Sequence, residues 1–174
     1  SLAMVDNLGS VKDAASGYAM IAYDDDYAIQ YFNDNRMAYW KHNGQVSIDQ
    51  VLLQASKDYD PVMQRCRTFD EQLMNDTRTA GGEQYAELCA LVYRQILAAH
   101  KLVEDKNGNL LFFSKENFSN GSIGTVDITY PSSPLFLVYN PELLKGMMNF
   151  IFEYSESGRW QKPFAAHDVG TYPQ

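Results

Sequence analysis

Two apolar stripes run along the stretch from Glu83 to Glu104, and no other feature of the sequence constrains the fold as strongly. Tyr85, Leu88, Cys89, Val92, Ile96, Ala99 and Val103 recur at helical spacing, and Leu91, Ala98 and Leu102 form a second row. A helix that is apolar on two sides must pack on two sides. That suits a multi-helix layer or toroid and excludes a simple two-helix hairpin. The fold class expected is mainly α, with antiparallel helix pairs forming part of an (α/α) toroid and one or two short β-strands.

The neighbouring segments extend the helical reading. Ala14 to Trp40 has few breakers, and Tyr23, Tyr27 and Tyr31 stand four apart, which predicts one helical face carrying three rings. Asp24 to Asp26 would then supply an N-cap and favourable charge, or a metal or substrate contact. Asn43-Gly44 reads as a turn. Ser47 is placed to cap a helix carrying Ile48, Val51, Leu52, Ala55 and Tyr59. Asp60-Pro61 ends that helix and starts another, with Val62, Cys66, Phe69 and Leu73 as its stripe and Gly81-Gly82 as its stop. Beyond Asn107-Gly108-Asn109 the texture changes, and "LLFF" and "TVDITY" read as short strands. The Asp105–Asn109 turn is not a calcium loop of the EF-hand type, because its glycine falls at the fourth position and no glutamate closes the frame. Pro141 opens a last helix ending near Gly158, and the tail from Trp160 is loop. Residues 1–12 read as an extended lead-in. The whole of 1–174 reads as a single helical domain.

Charge and composition narrow the partners. The formal net charge is -8 with no basic stripe, which argues against nucleic acid and anionic membranes. No run of 18 apolar residues marks a membrane span, and "SLAMVDNLGS" lacks the basic start and apolar run of a signal peptide. Cys66 and Cys89 have no metal-ligand spacing and are expected as buried free thiols, or as a disulfide between adjacent helices. Asn75, Asn117 and Asn120 each open a glycosylation acceptor pattern. Aromatic residues reach 13%, which suits either an aromatic core or a cleft that stacks flat ligands.

Polar residues concentrate in Lys115–Asp127 and in His167–Tyr172. Glu116 and Asp127 are candidate acid and base groups. Two carboxyls can donate and take a proton when their environments separate their pKa values. Such pairs hydrolyse glycosides and also activate water against an amide. Held instead by Asn, Ser and Asp side chains bonding to backbone, the same residues would simply brace a loop. His167-Asp168 lacks a partner Ser or Cys in a G-x-S-x-G turn, so no triad is read. The three histidines stand far apart with no HExxH, so no zinc site is expected. His100 is expected on the long helix, as a core or rim residue.

Four segments in order, "AYDDDYAIQYFNDNRMAYW", "YRQILAAHKLVED", "FFSKENFSNGSIGTVDITYPSSPLFLVYNPELLKG" and "PFAAHDVGTYP", resemble the glutaminase A family of fungi and bacteria. The resemblance covers about Gly17 to Pro173. It implies a helical toroid similar to six-hairpin glycosidases, of which this chain is the first half, within a larger secreted or cell-envelope protein. It implies hydrolysis of L-glutamine to glutamate and ammonia, with no cofactor, and cleft loops at "SKENFSNG", "GTVD" and "HDVGTYP". On that reading residues 159–174 are a cleft loop cut off from its second wall. Glu116 and Asp127 are acid/base candidates, and Asp168 orients water or touches substrate. Asn120, His167 and Tyr172 are substrate contacts, and no metal ligand is assigned. Partners are a small-molecule substrate, glutamine or a sugar, and the remaining domains of the parent chain. An exposed second stripe implies self-association. Two other readings stay open: a carbohydrate-active relative on the same toroid, and a non-catalytic helical module.

Overall fold

Ser47 caps the first helix as its position suggests. In the computed structural model, which describes residues 3–116 and 118–173, Gln50 N–H donates to the Ser47 hydroxyl at 3.3 Å. Ser47 N–H donates to the Gln50 side chain at 2.8 Å. This reciprocal pair satisfies two donors that a helix start leaves without partners, and it opens α1, Ile48–Lys57. α2, Tyr59–Gly81, follows at once with Pro61 in its first turn, where an N–H would have no helical partner. Gly82, at φ +83°, ends α2. α3, Glu83–Ala98, folds back antiparallel, so that Phe69 meets Tyr93 with ring centroids 4.9 Å apart.

The centre of the molecule is a β-hairpin clamped between helices. β3, His100–Glu104, pairs antiparallel with β4, Leu110–Ser114, with Val103 opposite Leu111 and Leu102 opposite Phe112. Side chains alternate across a strand. Val103, Leu111 and Phe113 join one buried cluster with Ile29, Tyr31, Ile123 and Phe150. Phe112 and Leu102 join another with Phe136 and Met147. Burial on both faces is why "LLFF" is an unbroken apolar run rather than an alternating one. α4, Val126–Tyr139, and α5, Pro141–Glu156, supply the covering faces. Gly146 lets α5 approach closely, since a Cβ there would lie 3.2 Å from the Phe112 Cβ. A second hairpin, β1 Ile29–Tyr31 with β2 Asp34–Arg36, docks on the first cluster through Ile29 and Tyr31. Among the described residues the fold is mainly helical, with five helices and two small antiparallel sheets. Among the same residues no helix is long and apolar enough to cross a membrane.

Six expectations need correction. Residues 14–40 are not a helix. The segment before β1 has no regular structure, and Tyr23, Tyr27 and Tyr31 share no helical face. Asp24 caps nothing helical: its carboxylate accepts from Lys41 Nζ at 2.8 Å and from Asp26 N–H at 2.9 Å. This holds Asp26 at φ +58°, a conformation no helix contains. The long helix stops at Ala98, and Leu102 and Val103 belong to β3. The i, i+4 spacing carried on by chance into a strand that packs Val103 on one face and Leu102 on the other.

"TVDITY" opens α4 instead of forming a strand. At Pro134 a serine hydroxyl replaces the missing donor. Pro134 has no N–H for the Tyr130 carbonyl, which accepts from the Ser133 hydroxyl at 2.8 Å instead. Cys66 is exposed and Cys89 half-buried, both as free thiols, so the expected burial fails for Cys66. The acceptor pattern at Asn117, with Ser1, Leu2 and Gln174, lies outside the described residues.

His100 sits at the start of β3, not on a helix. Its ring stacks on Phe112 at 4.4 Å, and its Nδ1 donates to the Ile96 carbonyl at 2.6 Å. Burial pulls the imidazole below its usual pKa, against the raising effect of the Ile96 bond. A histidine favoured as neutral in the fold contributes stability above its unfolded pKa, near 6.5, that is lost as pH falls toward the folded value. The stability lost on His100→Gln should therefore be larger at pH 7.5 than at pH 5, measured by urea denaturation at the two pH values.

Candidate functional site

The strand row does not stop at Ser114. Lys115 N–H donates to the Ala99 carbonyl at 2.8 Å, Glu116 N–H to Ser122 at 2.9 Å, and Ile123 N–H to Gly170 at 2.9 Å. Val169 N–H returns to Ile123 at 3.0 Å, and Tyr172 N–H donates to Gly121 at 2.9 Å. Two neighbouring segments, 115–116 and 121–123, and a distant one, 169–172, are thereby laid side by side by backbone bonds alone. At the end of this row, Gln30 N–H of β1 donates to the Pro173 carbonyl at 2.6 Å.

Glu116 projects from this row toward the start of α4. Thr125, the N-cap residue, uses its hydroxyl not to cap the helix but to donate to Glu116 Oε1 at 3.0 Å. Ser119 Oγ donates to the other carboxylate oxygen. Thr125 is fully buried, so its hydroxyl is a fixed reference for the carboxylate. A helix N-terminus also favours negative charge nearby. Gly124 makes the approach possible. It has φ +62°, and a Cβ there would lie 2.3 Å from the Phe150 ring.

Asp127 stands in the first turn of α4. Its Oδ1 is 3.7 Å from His167 Nε2. His167 Nδ1 meets Asp168 Oδ2 at 2.7 Å, and a carboxylate accepts, so Nδ1 carries the proton. Asp168 is fixed in turn by Gly170 N–H on Oδ1 at 2.9 Å. The His167 carbonyl accepts from Val126 N–H at 2.9 Å, which ties the two loops together. The Asp168 hydrogen bond and the charges of Asp127, Asp168 and Glu116 hold the imidazole above its ordinary pKa. Both ring nitrogens face carboxylates, and each carboxylate favours charge on the ring.

The structure thus gathers Glu116, Asp127, His167 and Asp168 into one group. Asn120 braces the loop, its Oδ1 accepting from Ser122 N–H at 2.8 Å. Tyr172 packs on the first buried cluster, and the Lys115 ammonium lies 4.7 Å from its ring centroid. Residue-by-residue reading missed the two hydroxyls on Glu116. The signal was a threonine just before an acidic first turn, hidden because the segment read as a strand. Cavities of about 470 Å³ beside Trp40 and Lys101, and of about 550 Å³ beside Arg36 and Arg159, are not lined by any of the four residues. Within the group the side chains of Asp127 and His167 are exposed, and that of Asp168 is half-buried. Among the described residues no cluster of three or more His, Cys, Asp or Glu is arranged to hold a metal ion.

The family model described as the glutaminase A six helical-hairpin domain matches residues 82–174, which include every residue of this group. A model for a domain of unknown function (DUF5127) matches residues 1–76. The chain is 33% identical over 171 residues, 95% of its length, to a protein named glutaminase A from Aspergillus oryzae. It is 33% identical over 115 residues, 66% of its length, to a probable glutaminase from Arthroderma benhamiae. It spans only 24% and 13% of these two relatives. No solved structure matches.

Proposed function

We propose, from the premise that this chain belongs to the glutaminase A six helical-hairpin domain family, that it forms part of a hydrolase splitting L-glutamine into glutamate and ammonia by carboxylate-assisted attack of water. The observation that carries this reading is the cradle of Glu116. Two hydroxyl donors, one on each oxygen, orient the carboxylate beside an imidazole and a second carboxylate. A carboxylate so oriented can take a proton from water as that water adds to an amide carbon. The names of the two relatives supply the substrate class. The exposed apolar side chains of α3 and α4, Leu88, Leu91, Tyr130 and Val138 among them, are the surface that further helices of the toroid would cover.

The test is ammonia release from L-glutamine by the full-length protein beside its Glu116→Gln variant. Glutamine keeps the shape and one acceptor but cannot take the proton. Release should fall roughly 10²- to 10⁴-fold, the usual contribution of a positioned base. Undiminished release would remove Glu116 from the chemistry. No release from folded wild type would remove glutamine as the substrate.

A further inference from the structure

Amide hydrolysis needs a proton given as well as a proton taken, because an amide nitrogen leaves as ammonia and not as an anion. A carboxyl serves as that acid near neutral pH where burial keeps its proton, and the side chain of Asp127 is 74% exposed. We infer that His167 is the proton donor of this site, with Asp168 as the positioning residue that fixes the ring and Asp127 as the carboxylate that faces its Nε2. The inference rests on the amide-hydrolysis reading above and deepens it.

The geometry supports each part. Asp168 accepts from Nδ1 at 2.7 Å and is itself pinned by Gly170 N–H, so the ring has one orientation. That orientation leaves Nε2 pointing outward beside Asp127 Oδ1, at 3.7 Å, too far for a hydrogen bond that would consume its proton. The imidazole side chain is 61% exposed, so substrate and solvent can reach it. The charged groups that face it are Asp168 on its own loop, Asp127 on α4 and Glu116 beyond β4. All three are carboxylates, and all favour imidazolium.

The protons balance. Water adds to the amide carbon, its oxygen forming the new C–O bond and one of its protons passing to Glu116. His167 Nε2 gives its proton to the nitrogen, the C–N bond breaks, and ammonia departs with the electron pair of that bond. Glu116 now holds one extra proton and His167 lacks one, and exchange with solvent at the exposed ring restores both. The products, a carboxylic acid and ammonia, ionise in water. No oxidant or second substrate is required.

The experiment has two readouts. Proton NMR of His167 across pH, assigned by loss of its signal in His167→Gln, should give a pKa above the ordinary value of about 6.5. Asp168→Asn should lower it, since the neutral amide no longer favours the charged ring. In parallel, kcat/KM for glutamine should fall on the alkaline side through that same pKa. The limb should move to lower pH in Asp168→Asn, and His167→Gln should lose about 10²-fold or more. A His167 pKa at or below the ordinary value, or an alkaline limb that Asp168→Asn leaves in place, overturns the assignment while glutamine hydrolysis stands. Absence of ammonia release from wild type overturns the substrate reading and the donor role together, and the wild-type rate alone identifies that case. Should the His167→Gln variant misfold, the alkaline limb of the Asp168→Asn profile, which does not need that variant, decides between the two outcomes.

Discussion

Phe150→Ala should destabilise the protein by about 3–5 kcal/mol, the range found when a fully buried phenylalanine is truncated. Phe150 is 0% exposed and stacks on Phe113 with centroids 4.5 Å apart. It holds α5 against β4, and its ring edge is the surface on which Gly124 rests. Alanine would leave a cavity bounded by the hairpin, which is paired on one side and covered by α5 on the other, so the walls have little freedom to close. Urea denaturation of wild type and variant measures the loss. A change below about 1 kcal/mol would mean that the ring is not the keystone of the first cluster.

The second large effect lies at the other side of the same contact. Gly124→Ala should cost about 1–3 kcal/mol for overpacking against Phe150. The left-handed backbone at φ +62° adds about 1–2 kcal/mol for any residue with a Cβ. The loop can escape the clash only by shifting Thr125, which would move the Glu116 cradle. The two substitutions are coupled, because Phe150→Ala vacates the space that the new Cβ would enter. The double variant should therefore be more stable than the sum of the two single losses predicts, by roughly 1 kcal/mol or more. Strict additivity by the same denaturation measurement would place the Gly124 cost in the backbone alone.

Much of the helical frame is legible in the sequence, and for local reasons. Ser47 with Gln50, Pro61, Gly81-Gly82 and Pro141 are start and stop residues whose physics acts over a single turn. The apolar rows between them need only helical spacing. The misread elements are those whose cause is distant. β1 and β2 form because Ile29 and Tyr31 find Phe113 and Phe150, contacts no local pattern announces. β3 continues a helical row because Val103 packs on one of its faces and Leu102 on the other. α4 looks like a strand from its threonines and isoleucine, and looks broken from its prolines, until the serine hydroxyls are seen on the carbonyls. The same division holds at the site. That Glu116, Asp127, His167 and Asp168 sit in polar loops is visible in the chain. That Glu116 is gripped by Ser119 and Thr125, and that His167 lies between Asp168 and Asp127, comes only from the backbone row that aligns the three loops. Asn120 is visible in the same way, as a polar residue of a loop, and its bracing bond to Ser122 N–H is a local one.

That row also sets an order of assembly. The Glu116 cradle is closed by residues within ten positions of it, so little chain entropy opposes its formation once β4 is paired. His167 and Asp168 join only when the last stretch of the chain crosses back to Ile123 and reaches Gln30, near the other end. Contacts of such long sequence separation form slowly and late. A chain growing from its N-terminus would hold the oriented Glu116 carboxylate well before His167 and Asp168 joined it.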